Sequence, residues 1–210
     1  MDERAQGLVL RVHPLTETSL IVRWITREHG RIATVAKGAR RPKSPFRGKI
    51  DLFYLADFTF SRSRRSDLHN LREVSVCETH PFLRKELAYL RQASYCAALI
   101  EQATEMETPL PSIFELMVEM LRALHPHPPR PQTVLAFELK LLNELGLKPE
   151  LGKSNLTAGA RQVVQVLNAA DWPSISRLKL STGQSTELRQ FLHAHLIFHL
   201  GRIPAVQHME

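Results

Sequence analysis

Between Arg31 and Lys49 the chain reads RIATVAKGARRPKSPFRGK. It carries seven cations there, Arg31, Lys37, Arg40, Arg41, Lys43, Arg47 and Lys49, with no carboxylate among them. Guanidinium and ammonium groups at this density suit one kind of chemistry, the neutralisation of a polyanion such as a phosphodiester chain. The first half of the stretch alternates, Ile32, Thr34 and Ala36 against Ala33 and Val35, as a strand does. The second half is punctuated by Gly38, Pro42, Pro45 and Gly48, which predicts a loop. A cationic loop leaving a strand presents charge while a sheet fixes its position, and the pattern points to nucleic-acid phosphates. Phe46 within the loop and Trp24 before it are candidate platforms for base stacking, with Phe53 and Tyr54 beyond them.

The other constellations that could carry chemistry fail on spacing. Gly146 to Ser154, GLKPELGKS, has five residues between its glycines where a phosphate-binding loop has four, and it follows a predicted helix instead of a strand. Gly38 to Gly48-Lys49 has nine intervening residues and ends in Ile50, where a magnesium-binding hydroxyl is needed. His195 and His199 are i, i+4 on one predicted helix, but no HExxH motif or acidic third ligand accompanies them. Cys77 and Cys96 form no CxxC, so neither a disulfide framework nor a cysteine zinc site is indicated. No nucleophile elbow appears, and no carboxylate pair stands out by spacing. The residues predict a binding protein with no catalytic centre and no cofactor.

The net charge of +7 is unevenly distributed. Residues 1–80 hold fifteen Lys and Arg against nine Asp and Glu, so nearly all of the excess belongs to the first half. Such asymmetry suggests nucleic acid or an anionic membrane surface. Two prolines and two glycines in the basic window rule out a continuous amphipathic membrane helix. No apolar run approaches the ~20 residues of a membrane span, and MDERAQG lacks the pattern of a signal peptide. The expectation is a cytoplasmic protein.

The elements that would position the loop follow from periodicity. Residues 6–13, 19–26, 31–37, 51–61 and 71–79 read as five short strands, with a turn at Glu28-His29-Gly30 that calls for positive φ at the glycine. Five strands in the first 80 residues favour a small closed barrel, because closure removes exposed edges. After His80-Pro81 the period changes to that of helices. Predicted helices cover Leu83 to Ile100, Ile113 to Leu124 and Val134 to Leu145, the last with Gly146 as its cap. HPHPPRP, residues 125–131, is a predicted rigid linker, and further helices are expected around Val163–Leu167 and Leu188–Leu196. The architecture is therefore multidomain, a five-stranded barrel over 1–80 followed by an all-helical bundle over 81–210.

Particular residues also resemble a known family. Leu8-Val9-Leu10-Arg11, Glu17-Thr18-Ser19-Leu20, Thr26 to Arg31, Val35 to Arg40, Phe46-Arg47-Gly48 and Leu71-Arg72-Glu73 resemble the bacterial DNA repair protein family RecO. So do Phe137-Glu138-Leu139, Leu145-Gly146 and His199-Leu200-Gly201-Arg202. The resemblance implies an N-terminal OB-fold and a helical domain, and a non-enzymatic recombination mediator. Such a protein binds single- and double-stranded DNA, anneals complementary strands, and works with RecR to load RecA onto strands coated by single-strand-binding protein. It carries the family's DNA-contacting loop onto Lys37, Arg40, Arg41, Lys43 and Arg47.

Two departures from the family matter. Many relatives have a four-cysteine zinc module after the Phe-Glu-Leu helix, whereas Gly146 to Thr157 has no cysteine, so no zinc and a shortened helical domain are expected. Relatives also take the acidic tail of single-strand-binding protein in a helical groove. Here Phe137, Leu141, Lys140 and Arg130 are the candidates for it, with Leu135-Ala136 where some relatives have arginine. An RNA-binding or ribosome-associated module would use the same cationic face and is the alternative.

Overall fold

A computed structural model describes residues 2–125 and 128–204. Five strands form first: β1 Asp2–Pro14, β2 Leu20–Thr26, β3 Gly30–Ala36, β4 Leu55–Ser61 and β5 Leu68–Glu78. They close into a barrel in the order β1-β2-β3-β5-β4. All neighbours are antiparallel except β3 and β5, which pair in parallel from Ala33↔Leu68 to Val35↔Asn70. One parallel closing pair in a five-stranded Greek-key barrel is the arrangement of an OB-fold.

Alternation explains the core. Val22 and Trp24 of β2, Ile32 and Ala36 of β3, and Ala56, Phe58 and Phe60 of β4 are buried together, while Arg23 and Asp57 between them are exposed. Trp24 stacks on Phe58 with ring centroids 4.3 Å apart. Its indole N–H donates to Thr34 Oγ1 at 2.9 Å, so the one polar atom of the ring is satisfied inside the barrel.

Three strand limits differ from the sequence expectation by more than one residue. β1 starts at Asp2, because its first residues have a second partner: Asp2–Leu8 pairs with Ser61–Leu55 of β4, while its later part pairs with β2. The expected strand over 51–61 begins only at Leu55, since Tyr54 N–H bonds to the Asp51 carbonyl and Phe53 takes φ +61°. Asp51 Oδ1 accepts from Leu52 N–H at 2.7 Å, the local bond by which Asp favours turns. β5 starts at Leu68, three residues early, because its N-terminus gains β3 as a neighbour.

Among the described residues six helices follow: α1 Leu87–Ala103, α2 Pro111–Leu124, α3 Pro131–Glu144, α4 Ala158–Ala169, α5 Trp172–Arg177 and α6 Thr182–Leu200. Before α1, Pro81–Arg84 makes a 3-10 turn, so the helix expected from the early eighties starts later. α3 ends in a Schellman arrangement: Gly146 at φ +72°, its N–H on Asn143 O and Leu147 N–H on Leu142 O. The sequence reading lacked α5, which is too short to show a period; Asp171 caps it by accepting from Ser174 N–H. α3 packs against α1, α4, α5 and α6. Of the expected rigid linker, Pro126 and His127 lie outside the described residues.

The chain divides into two compact units, and the division is not a single cut. Met1–Pro81 with Thr104–Val118 forms one, and Phe82–Ala103 with residues from Glu119 onward forms the other. The inserted segment sits beside β3. Glu107 N–H donates to Arg31 O at 2.8 Å, and Met106 bridges Arg31 in parallel. Arg62 holds Glu3 at 2.7 Å and Glu107 at 2.6 Å.

Candidate nucleic-acid interface

The loop after β3 is a run of tight turns. Each bond joins residues three apart: Ala39 N–H to Ala36 O, Arg41 to Gly38, Ser44 to Arg41, Arg47 to Ser44 and Lys49 to Phe46, at 3.0–3.3 Å. Gly38 and Gly48 supply the positive φ values, +70° and +72°, that L side chains resist. Two anchors hold the run to the barrel. Phe46 sinks its ring into the barrel core, and Arg40 N–H bonds to Thr18 O of the β1–β2 loop at 3.0 Å.

This backbone leaves Lys37, Arg40, Arg41, Lys43, Arg47 and Lys49 exposed. Arg40 donates to Thr16 O at 3.3 Å and Arg47 to Pro42 O at 3.2 Å. Each carbonyl takes one of the five N–H donors of a guanidinium, so these contacts aim the side chains while most of each fork stays available. No carboxylate falls between residues 37 and 49. Six cations on a turn-locked loop can neutralise adjacent phosphates with little loss of backbone freedom.

Arg31 does not belong with them. It lies in β3, where its Nε donates to Thr104 Oγ1 at 2.8 Å and a terminal nitrogen donates to Thr104 O. The guanidinium is part-buried and ties the inserted segment to the barrel, so its expected place in the phosphate site is corrected. Base stacking by Trp24 and Phe46 is also corrected: Trp24 is 0% and Phe46 7% exposed, because their apolar rings build the barrel core. Of the further candidates, Phe53 is buried and Tyr54 half-buried.

The candidate tail groove dissolves for the same reason. Phe137 and Leu141 are both 0% exposed in the helical core and cannot line a surface groove. Lys140 spends its ammonium on Asn168 O at 3.1 Å, with Nζ 5.9 Å from the Trp172 ring centre. Arg130 donates to Ser176 O at 3.3 Å. Its carbonyl accepts from Gln92 at 3.0 Å, so Arg130 caps local structure on both sides. The four residues do not converge on one open site.

His195 Nε2 lies 2.8 Å from Leu147 O, and its ring packs 4.5 Å from that of His199. Cys77 is exposed on β5 and Cys96 is buried in α1. Among the described residues, no three His, Cys, Asp or Glu side chains gather as ligands would. Glu138 instead makes a buried pair: Tyr95 donates its hydroxyl to Glu138, and burial pushes the Glu138 carboxyl up to about 7, against the pull of Tyr95 and Arg189.

Sequence reasoning missed a second feature of the barrel. A cleft of about 890 Å³ is lined by residues of β1, β4 and β5 together with Arg27 and Glu28 of the β2–β3 turn and Pro45, Phe46 and Lys49 of the basic loop. Arg4, Asp57 and Arg72 stand in it, although they are far apart in the chain. Strand register gathers them: Gln6 faces Asp57, and Asp57 faces Ser75. No local pattern in the sequence announces a site built that way.

Comparison with known proteins agrees with the geometry. A family model described as "Recombination protein O N terminal" matches residues 1–80, and one described as "Recombination protein O C terminal" matches 84–157. The DNA repair protein RecO of Anaeromyxobacter sp. (strain Fw109-5) is 35% identical over 162 residues, covering 76% of this chain and 63% of the relative. Those of Bacillus subtilis (strain 168) and Listeria monocytogenes serotype 4b are 31% and 34% identical, each covering 72% of this chain and 58% of the relative. The chain thus spans about three fifths of the length of these curated relatives. Among the described residues, no helix is long and apolar enough to cross a membrane. With both family models aligned in order on the barrel and on the first helices after it, the chain belongs to the RecO family of DNA repair and recombination proteins.

Proposed function

We propose that this chain is a non-enzymatic recombination mediator that binds single- and double-stranded DNA through the loop Lys37–Lys49 and anneals complementary strands. The observation that carries the proposal is the set of six exposed cations on a loop whose backbone is fixed by consecutive turns and by the Phe46 anchor. Annealing requires no covalent step. It requires that the repulsion between two phosphate chains be screened long enough for bases to pair, and clustered Lys and Arg do that by displacing counterions. The barrel over residues 1–80 is the DNA-binding domain in this scheme, and residues 81–210 form the partner-binding domain. RecR, single-strand-binding protein and, indirectly, RecA are the partners that family membership suggests, acting in the cytoplasm at the nucleoid.

The test is annealing of complementary oligonucleotides across a salt series, with Lys37→Ala/Arg40→Ala/Arg47→Ala beside the wild type. Wild type is expected to anneal with an affinity that falls steeply with salt. The triple variant should lose most of that activity and about 2–3 from the magnitude of the logarithmic salt slope. Equal annealing by both proteins would move the DNA contact elsewhere. A matched RNA arm decides the alternative, since tighter binding of RNA would favour an RNA-binding module.

A further inference from the structure

The β1–β2 connection, Leu15-Thr16-Glu17-Thr18-Ser19, holds its shape through one side chain. Thr16 Oγ1 accepts from Thr18 N–H at 3.3 Å and from Ser19 N–H at 3.1 Å, the local bonds by which a threonine hydroxyl closes a turn. Leu15 N–H donates to Ser19 O at 3.0 Å, so the two ends of the connection are tied as well. The register Leu20↔Ala36 sets this turn beside the start of the basic loop. There it holds one cation at two points. Arg40 N–H donates to Thr18 O at 3.0 Å, and Arg40 Nη1 donates to Thr16 O at 3.3 Å. Arg47, by contrast, bonds to Pro42 O within its own loop. Thr16 and Arg40 stand 24 residues apart, so no local pattern joins them.

We propose that Thr16 is a positioning residue for DNA binding: its hydroxyl fixes the β1–β2 turn, whose Thr16 and Thr18 carbonyls hold Arg40 ready for a phosphate. Thr16 carries no charge and meets no phosphate in this scheme; it acts through Arg40. An arginine already aimed loses less rotamer freedom on binding than one that moves freely. The Thr16 carbonyl takes one of the five guanidinium donors and leaves the others for the ligand. Thr16 is exposed, so removing its hydroxyl leaves no buried group unpaired in the barrel. The proposal rests on the DNA-binding reading above.

The experiment titrates a thymidine oligomer of about 12 nucleotides, within the span a small barrel occupies, into the full chain across a salt series. The proteins are wild type, Thr16→Val, Thr16→Ser, Arg40→Ala and Thr16→Val/Arg40→Ala. Thr16→Val keeps the shape of the side chain and removes the hydroxyl. It is expected to bind about threefold more weakly, within the cost of ordering one long side chain. Its logarithmic salt slope should equal that of wild type, because no cation is lost. Arg40→Ala should instead flatten the slope by about 1. Thr16→Ser keeps the hydroxyl and should bind as wild type does. The double variant should bind no more weakly than Arg40→Ala, since residues that act through one another are not additive. Wild-type affinity in Thr16→Val overturns the proposal, and so does a flattened slope in that variant. Equal weakening in Thr16→Ser overturns it by removing the hydroxyl from the account. A full threefold loss repeated in the Arg40→Ala background overturns it too, because Thr16 would then act elsewhere. In each of those cases salt-sensitive binding by wild type leaves the basic loop's role intact. Absence of binding by wild type overturns the DNA-binding reading as well.

Discussion

Gly30 and Arg31 sit side by side at the start of β3 and answer to the same neighbour, the inserted segment Thr104–Val118. Gly30 has φ +66°, and a Cβ there would stand 1.9 Å from the carbonyl oxygen of Thr108. Gly30→Ala is therefore expected to cost about 3 kcal/mol or more, the sum of left-handed strain and a backbone clash, read as a shift in denaturant midpoint. An unchanged midpoint would mean the segment does not lie against that turn. Arg31 and Lys37 are both cations of one sequence cluster, yet their environments assign opposite consequences. Arg31→Ala should lower stability by about 1–2 kcal/mol through its two lost bonds to Thr104 and leave the salt slope of DNA binding alone. Lys37→Ala should do the reverse, flattening the slope by about 1 with no measurable change in melting. If the two variants behave alike, the separation of Arg31 from the phosphate loop is wrong.

At the scale of elements, α3 is the member of the helical unit on which the others pack, and its buried face includes a carboxyl group. Glu138 has little access to water, and its folded pKa of about 7 lies above the ordinary carboxylate value of 4.5. The native state thus binds this proton more tightly than the unfolded chain. The resulting contribution to stability is complete below about pH 4.5 and is lost as pH rises through about 7. The full span is on the order of 3 kcal/mol. Glu138→Gln keeps an oxygen to accept from Tyr95 and removes the titration. Its unfolding free energy is expected to vary less between pH 5 and 8 than that of the wild type, and to exceed it at the alkaline end. Parallel pH profiles for the two proteins would show that Glu138 is not the group responsible.

The whole chain is not barrel then bundle in strict succession, because Thr104–Val118 returns to the barrel's unit after α1 has formed part of the other. A fragment ending at Pro81 lacks Glu107 and Thr104, taking one of its two carboxylate partners from Arg62 and depriving Arg31 of its Thr104 bonds. Amide protons of β3 in that fragment are expected to exchange faster than in the intact chain, by about tenfold for each 1.4 kcal/mol lost. Equal protection would make the inserted segment an ornament of the barrel and not a part of it.

Much of this was legible from residue order because it depends on neighbours in the chain. Alternation in β2 to β4, the positive φ of Gly30, the Gly146 cap and the density of Lys and Arg after Ala36 are local properties, and the local physics of turns and periodicity decides them. Strand limits at Asp2, Leu55 and Leu68 were not legible, since a strand extends wherever a partner strand lies beside it. Nor was the fate of individual side chains. Trp24, Phe46, Phe137 and Leu141 are the residue types that stack on bases or line grooves, and they are equally the types that fill cores. Burial, which sums contacts from distant segments, chose the core for all four. The sequence by itself determined a basic loop on a small barrel ahead of helices, because charge and period are written in consecutive residues. Only the tertiary structure decided that Arg31 binds Thr104 while its neighbours in the cluster face solvent. It alone gathered Arg4, Asp57 and Arg72 around one cleft, because strand register brings together residues that the chain keeps apart.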